Sequence, residues 1–153
     1  QHLSTMNDEN LSQLHQVSLH CRLELPAQRF PLSHCTQQLQ SAYACQELKP
    51  SQLQRDVAAA LDRLSWTHVF EHVTEDGISL DMAQPDAKRA VEVDGTSHFL
   101  KNVASEEYVE NGPTRLKSRL LRRLGWDVVH LPFFEWDRLR RTEEKDAYLR
   151  ALL

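Results

Sequence analysis

Residues 78–99 read ISLDMAQPDAKRAVEVDGTSHF, and the fold turns on this stretch. Two apolar-rich runs, Ile78–Met82 and Arg89–Val93, flank a Gln84-Pro85-Asp86 turn. Pro and Asp suit turn positions and the flanking residues favour strands, so the spacing predicts a β-hairpin. Asp81 falls near the end of the first strand, and Glu92 and Asp94 share one face of the second by period-two alternation. Hairpin pairing would gather the three carboxylates in one patch, with Gly95 permitting the turn after Asp94 and His98 following within reach. Three carboxylates so placed repel one another unless a cation, an Arg or Lys, or bulk water relieves them. With oxygen ligands and no Cys or His pair in the strands, a hard cation such as Mg²⁺ is the natural candidate. A solvated hairpin end with ordinary acidic residues accounts for the same pattern.

Outward from the hairpin, Pro50-Ser51 marks a boundary. Ser51 is a good N-cap, and Gln54 at N3 completes a capping box. A helix over Gln52–Leu64 carries Leu53, Val57, Ala60, Leu61 and Leu64 as a one-sided stripe for packing on a sheet. Trp66–Val73 alternates as a strand, and Thr74-Glu75-Asp76-Gly77 is a turn in which Gly77 supplies the positive φ. Beyond the hairpin, Lys101–Gly112 reads as a polar loop. Pro113 then opens a helix through TRLKSRLLRRL with Leu116, Leu120, Leu121 and Leu124 as its buried stripe. Gly125 caps it, Trp126–Leu131 is a strand, Phe133–Leu139 begins another helical turn, and Lys145–Leu153 closes the chain.

The N-terminal third reads as helical. Asn7–Asn10 offers N-caps to a helix carrying Leu11, Leu14, Val17 and Leu19, ended by Pro26 and Pro31, and a second helix is expected over Leu32–Leu48. His15, His20 and His34 read as surface or helix-side residues. The expected organisation is a helical lead over residues 1–50 and an α/β domain over 51–153. Its order of α-β-β-β-α-β-α predicts a mixed sheet of about four strands flanked by helices, with the helix before the last strand allowing a parallel crossover.

Composition narrows the function classes. The 153 residues suffice for a single packed domain with an appended segment. A net charge of −4 excludes a generic polyanion binder, so any polyanion contact must be local. It is local: Pro113–Arg141 holds Arg115, Lys117, Arg119, Arg122, Arg123, Arg138, Arg140 and Arg141 against three acids. A face of this kind attracts phosphates by counterion release, and Arg guanidinium matches phosphate oxygens. Trp126, Phe133, Phe134 and Trp136 lie between the basic clusters as candidates for stacking bases or for the core. Cys21, Cys35 and Cys45 lack CxxC spacing, which points away from a disulfide framework or zinc and toward a reducing compartment. No apolar run is long enough to span a membrane. The chain opens on Gln1 with its first Met at Met6, so a fragment or a processed N-terminus is expected.

VEVDGTSHF, followed by NGPTRLKSRLLRRLGWDVVHLPFFEWDRL and a terminal KDAYLRALL, resembles a RAP domain, the module named for RNA-binding proteins abundant in apicomplexans. The same module ends the Fas-activated kinase-like mitochondrial proteins of animals and the octotricopeptide-repeat proteins of algae. The resemblance covers roughly residues 51–153. It implies a fold similar to the restriction-endonuclease-like PD-(D/E)xK fold and a role on organellar RNA, in the mitochondrion or alternatively a plastid.

Within that fold Asp81 matches the first acid and Glu92 the second, while Asp94 occupies the lysine position. That departure puts hydrolysis in doubt and leaves Lys117, on the neighbouring helix, as a candidate migrated lysine. Two functions follow. The first is a non-catalytic RNA-binding component of a ribonucleoprotein such as the mitochondrial ribosome. It would bind rRNA or another organellar RNA through the eight basic residues and His98, and proteins through the N-terminal helices, with no membrane and no small-molecule substrate. The second is a metal-dependent endoribonuclease in which Asp81, Glu92 and Asp94 hold Mg²⁺, assisted by Lys117 or His98.

Overall fold

The computed structural model describes residues 6–25, 27, 30–31, 33–44 and 50–153. By internal contacts the chain forms two compact units, residues 1–48 with 73–79, and residues 49–72 with 80–153.

In the first unit, α1 spans Asp8–Glu24 and α2 spans Thr36–Ala44, preceded by a 3₁₀ turn over Ser33–Cys35. Asn7 caps α1, its side chain accepting from Asn10 N. Leu11, Leu19 and Leu39 are buried between the two helices, and Ile78 is buried in the same unit. His15 is buried rather than on the surface, because its Nε2 meets the Asp76 carbonyl at 2.7 Å. The sequence could not place it there, since its partner lies 61 residues away. Asp76 also pairs with Arg22. The expected reach of the second helix to Leu48, and Cys45, lie outside the described residues. Cys21 and Cys35 are free thiols.

The second unit carries most of the α/β elements, while residues 73–79, expected in the same domain, group with the first unit. Helix α3 (Gln52–Arg63) starts at the expected capping box: Gln54 N donates to Ser51 Oγ at 3.1 Å, and Ser51 N donates to Gln54 Oε1 at 2.6 Å. Strands β1 (Val69–Val73), β2 (Ser79–Gln84) and β3 (Arg89–Asp94) follow. The β2–β3 hairpin turns through a 3₁₀ segment, Pro85–Ala87, closed by Lys88 with φ 47°. Two three-residue strands, β4 (Phe99–Lys101) and β5 (Tyr108–Glu110), pair antiparallel where a polar loop was expected. Strands this short carry too few residues for alternation to show. Helix α4 (Gly112–Arg123), strand β6 (Asp127–Pro132), the single-turn helix α5 (Phe133–Trp136) and α6 (Thr142–Leu152) complete the chain.

The four-stranded sheet has the order β1-β2-β3-β6, with β2 antiparallel and β6 parallel to β3. Joining parallel neighbours needs a crossover, and α4 supplies it. The mixed sheet with flanking helices is the expected architecture. One face is apolar: Met82, Val91, Val93 and Leu131 pack with Val57, Ala60 and Leu61 of α3, with Trp136, and with Leu149 of α6. Because strand side chains alternate, Glu92, Asp94 and His130 must then point to the opposite face. Among the described residues no helix is long and apolar enough to cross a membrane.

Candidate functional site

The hairpin register pairs Met82 with Val91, which sets Asp81 across from Glu92 one residue further on. The parallel register pairs Glu92 with His130 and Asp94 with Pro132. Two polar clusters result on the face opposite the core.

The first links β2, β3, α3 and α4. Glu92 is buried, and its Oε1 accepts from Asp81 N at 3.2 Å while Oε2 takes the Lys117 ammonium at 2.5 Å. Asp81 is equally engaged: Oδ1 accepts from Gln54 Nε2 at 2.7 Å and Oδ2 from Val93 N at 2.7 Å. Gln54 therefore both caps α3 and anchors Asp81. Burial pushes the Glu92 carboxyl up to about 7, Lys117 opposing and Asp81 reinforcing the shift. Glu71 of β1 borders this cluster. Burial and then the Asp81 charge raise its pKa against Lys117, and its φ of 55° is left-handed, a conformation non-glycine residues rarely adopt.

The second cluster links β3, β6 and α4. Asp94 is buried, with Oδ2 2.7 Å from His130 Nδ1 and Oδ1 3.2 Å from His98 Nδ1. His130 Nε2 is 2.9 Å from Ser118 Oγ, which also reaches the Thr114 carbonyl at 2.9 Å. The hydrogen bond to Asp94 raises the His130 pKa above burial's downward pull, with the Asp94, Glu92 and Glu110 charges adding to it.

The structure thus brings Asp81, Glu92 and Lys117 together and turns Asp94 aside to two histidines. This arrangement does not fit a resident divalent ion. All four oxygens of Asp81 and Glu92 accept from N–H donors, one of them a cation, and Asp94 is taken up by imidazoles. Among the described residues no three His, Cys, Asp or Glu side chains are grouped as a metal ion would need.

The basic residues sort by side of the helix. Arg115, Arg119, Arg122 and Arg123 are exposed on α4, whereas Lys117 is turned inward to Glu92. Arg138, Arg140 and Arg141 are exposed beyond α5, although the Arg141 guanidinium is engaged by Glu144, with Nε to Oε1 at 2.8 Å. His98 is half-buried between Asp94 and Thr114 Oγ1. Trp136 and Trp126 are buried, so neither offers an open ring face to a base. Phe133 and Phe134 instead join Phe99 and Tyr108 in a four-ring cluster, where Tyr108 stacks on Phe134 at 4.9 Å and stays partly exposed.

Sequence reasoning missed His130, Ser118, Gln54 and Glu71 as members of these clusters. His130 had a signal: in Asp127–Pro132 it sits at the alternate position between Val129 and Leu131, on the face that the core does not use. Gln54 showed only its capping role. Glu71 showed nothing, because a left-handed residue inside a strand breaks the alternation that would have placed it.

The segment of residues 91–152 matches the family described as RAP domain. It contains Glu92, Asp94, His98, Lys117, Ser118 and His130, while Asp81 lies before it. A curated relative from Oryza sativa subsp. japonica, "RAP domain-containing protein, chloroplastic", is 38% identical over 80 residues. Those residues are 52% of this chain but 12% of the rice protein, so the chain spans a small part of that relative.

Proposed function

We propose that the chain is an RNA-binding RAP domain that acts without catalysis within an organellar ribonucleoprotein, contacting RNA through the outer face of α4. One observation carries this reading. Helix α4 directs four arginines to solvent and its lysine to the buried Glu92, so the acid network is neutralised from within while the outer face stays basic. A local basic face on an acidic chain concentrates phosphate contacts on that face. His98, Arg138, Arg140 and Arg141 extend the contact, and the N-terminal helices engage protein partners of the particle. The RNA is rRNA or another organellar transcript. The rice relative's chloroplastic description supports a plastid over the mitochondrion and its ribosome, which the sequence put first.

The test is RNA binding at several salt concentrations by wild type and the Arg119→Glu/Arg122→Glu double variant. The double variant should bind more weakly, with a salt slope reduced by about two. Binding with an unchanged slope would remove α4 as the interface.

A second reading, a metal-dependent endoribonuclease, draws on the convergence of Asp81, Glu92 and Lys117. The occupied carboxylate oxygens weigh against it. Labelled RNA incubated with Mg²⁺ or Mn²⁺ separates the two. Cutting that Asp81→Ala and Glu92→Ala both abolish, with binding retained, would overturn the non-catalytic reading.

A further inference from the structure

Between α4 and β6 lies an open cleft of about 340 Å³, lined by Ser118, Arg122, Gly125, Trp126, Val128 and His130. Asp127 also lines it, with its Oδ2 3.7 Å from Arg89 Nε, a cation that partly offsets its charge. We infer that this cleft is a phosphate subsite in which His130 Nε2–H and the Arg122 guanidinium hold one phosphate group. The inference rests on the RNA-binding reading for its ligand, an internal RNA phosphate, but the chemistry would serve a free phosphate equally.

Hydrogen-bond accounting sets the charge of the imidazole. Asp94 is an acceptor, so the proton between it and His130 belongs to Nδ1. Ser118 has one hydroxyl proton, which it donates to the Thr114 carbonyl, a pure acceptor. Its oxygen can then only accept from His130, so Nε2 donates as well. An imidazole that donates from both nitrogens is an imidazolium. All the bonds seen around Ser118 and Asp94 coexist only in that state.

The groups facing His130 agree with a cation that is anchored on one side and open on the other. Asp94 and Glu92 stand on β3 and Glu110 on β5, and all three favour its charge. Lys117 pairs with Glu92, and His98 shares Asp94, so these two carboxylates each carry a second compensating donor. A phosphate oxygen entering the cleft can take Nε2–H from Ser118 at little cost, because Ser118 keeps its bond to Thr114. Arg122, exposed on the same helix one turn beyond Ser118, adds a planar donor matched to phosphate oxygens.

Direct readout comes from the imidazole nitrogens in long-range ¹H–¹⁵N spectra of the whole chain, with His130 assigned by comparison with His130→Gln. Inorganic phosphate and a short oligouridylate are titrated separately. The expected result is a perturbation of His130 by both probes and a His130 pKa that rises when either binds. Oligouridylate affinity should fall about tenfold as pH rises through the His130 titration, the size of one charge-assisted hydrogen bond. His130→Gln, which keeps a donor near Nε2 but cannot titrate, should flatten that dependence. Arg122→Gln, on the helix surface, should weaken inorganic phosphate binding without unfolding the domain. Oligouridylate binding that leaves His130 unperturbed, with the same pH dependence in His130→Gln, would overturn the subsite and leave the RNA reading standing. Phosphate perturbing His130 without any oligouridylate binding would support the subsite for a free phosphate and overturn the RNA reading. Absence of binding by either probe would overturn both.

Discussion

Lys117 Nζ lies 2.5 Å from Glu92 Oε2, joining the middle of α4 to the centre strand pair across the polar face of the sheet. The lysine side chain is about a quarter exposed and the glutamate almost fully buried, at 24% and 4%. Removing the cation therefore leaves a buried carboxylate, whereas removing the acid leaves an amine that can reach water. The two substitutions should behave differently.

Lys117→Met should destabilise the domain by about 3 kcal/mol at about pH 8, where the wild-type Glu92 is ionised and paired and the variant must either bury an unpaired carboxylate or take up a proton. At about pH 5 Glu92 is protonated in both proteins, and the loss should shrink to about 1 kcal/mol. Urea melts at the two pH values check this. Equal losses would mean that packing of the lysine stem, not the ion pair, is what matters.

Glu92→Gln tests the sign of the linkage. The carboxyl has a folded pKa of about 7 against an ordinary 4.5. Between those values the folded state holds a proton that the unfolded state has released, so stability must fall as pH rises from about 4.5 to about 7 and then level off. The fall should approach about 2–3 kcal/mol, following the size of the shift. The variant cannot titrate there and should lose that slope. A wild-type curve that instead rises through this window would contradict the burial assigned to Glu92.

Asp94→Asn removes the charge that holds His130. The folded-state His130 pKa is raised, so the stability it contributes is present below the unfolded-state value and is lost as pH rises through the folded value. In the variant the His130 titration should move down toward the ordinary imidazole range, and stability at about pH 6 should drop by about 1–3 kcal/mol. Imidazole ¹⁵N shifts followed against pH give the first. An unmoved titration would assign the His130 shift to Glu92 and Glu110 instead.

Gln54 joins the cap of α3 to Asp81, so its loss should cost more than loss of the cap alone. Ser51→Ala should cost about 1 kcal/mol. Gln54→Leu should cost about 2 kcal/mol, since it also strips the Asp81 Oδ1 donor in a half-buried site. Thermal unfolding of the two variants side by side decides it, and equal losses would confine Gln54 to capping.

The sequence by itself determined the elements whose signals are local. Ser51 and Gln54 mark the start of α3, Val57, Ala60 and Leu61 mark its buried stripe, Pro85-Asp86 marks the hairpin turn, and Gly125 ends α4. It also placed Glu92 and Asp94 on one face, because alternation along a strand is a covalent consequence of the extended chain. What it could not determine is which partner each carboxylate meets, since those partners come from other elements: Lys117 and Ser118 from α4, His130 from a parallel strand, Gln54 from α3. The expected convergence of Asp81, Glu92 and Asp94 divides in the folded chain. Glu92 finds an ammonium and Asp94 finds two imidazoles, and each buried charge settles on its nearest compensating donor. Parallel pairing of β3 with β6 brings Glu92 beside His130 although 38 residues separate them, and only the crossover through α4 selects that register. Strand alternation is local and legible; compensation of buried charge is non-local, and tertiary structure decided it.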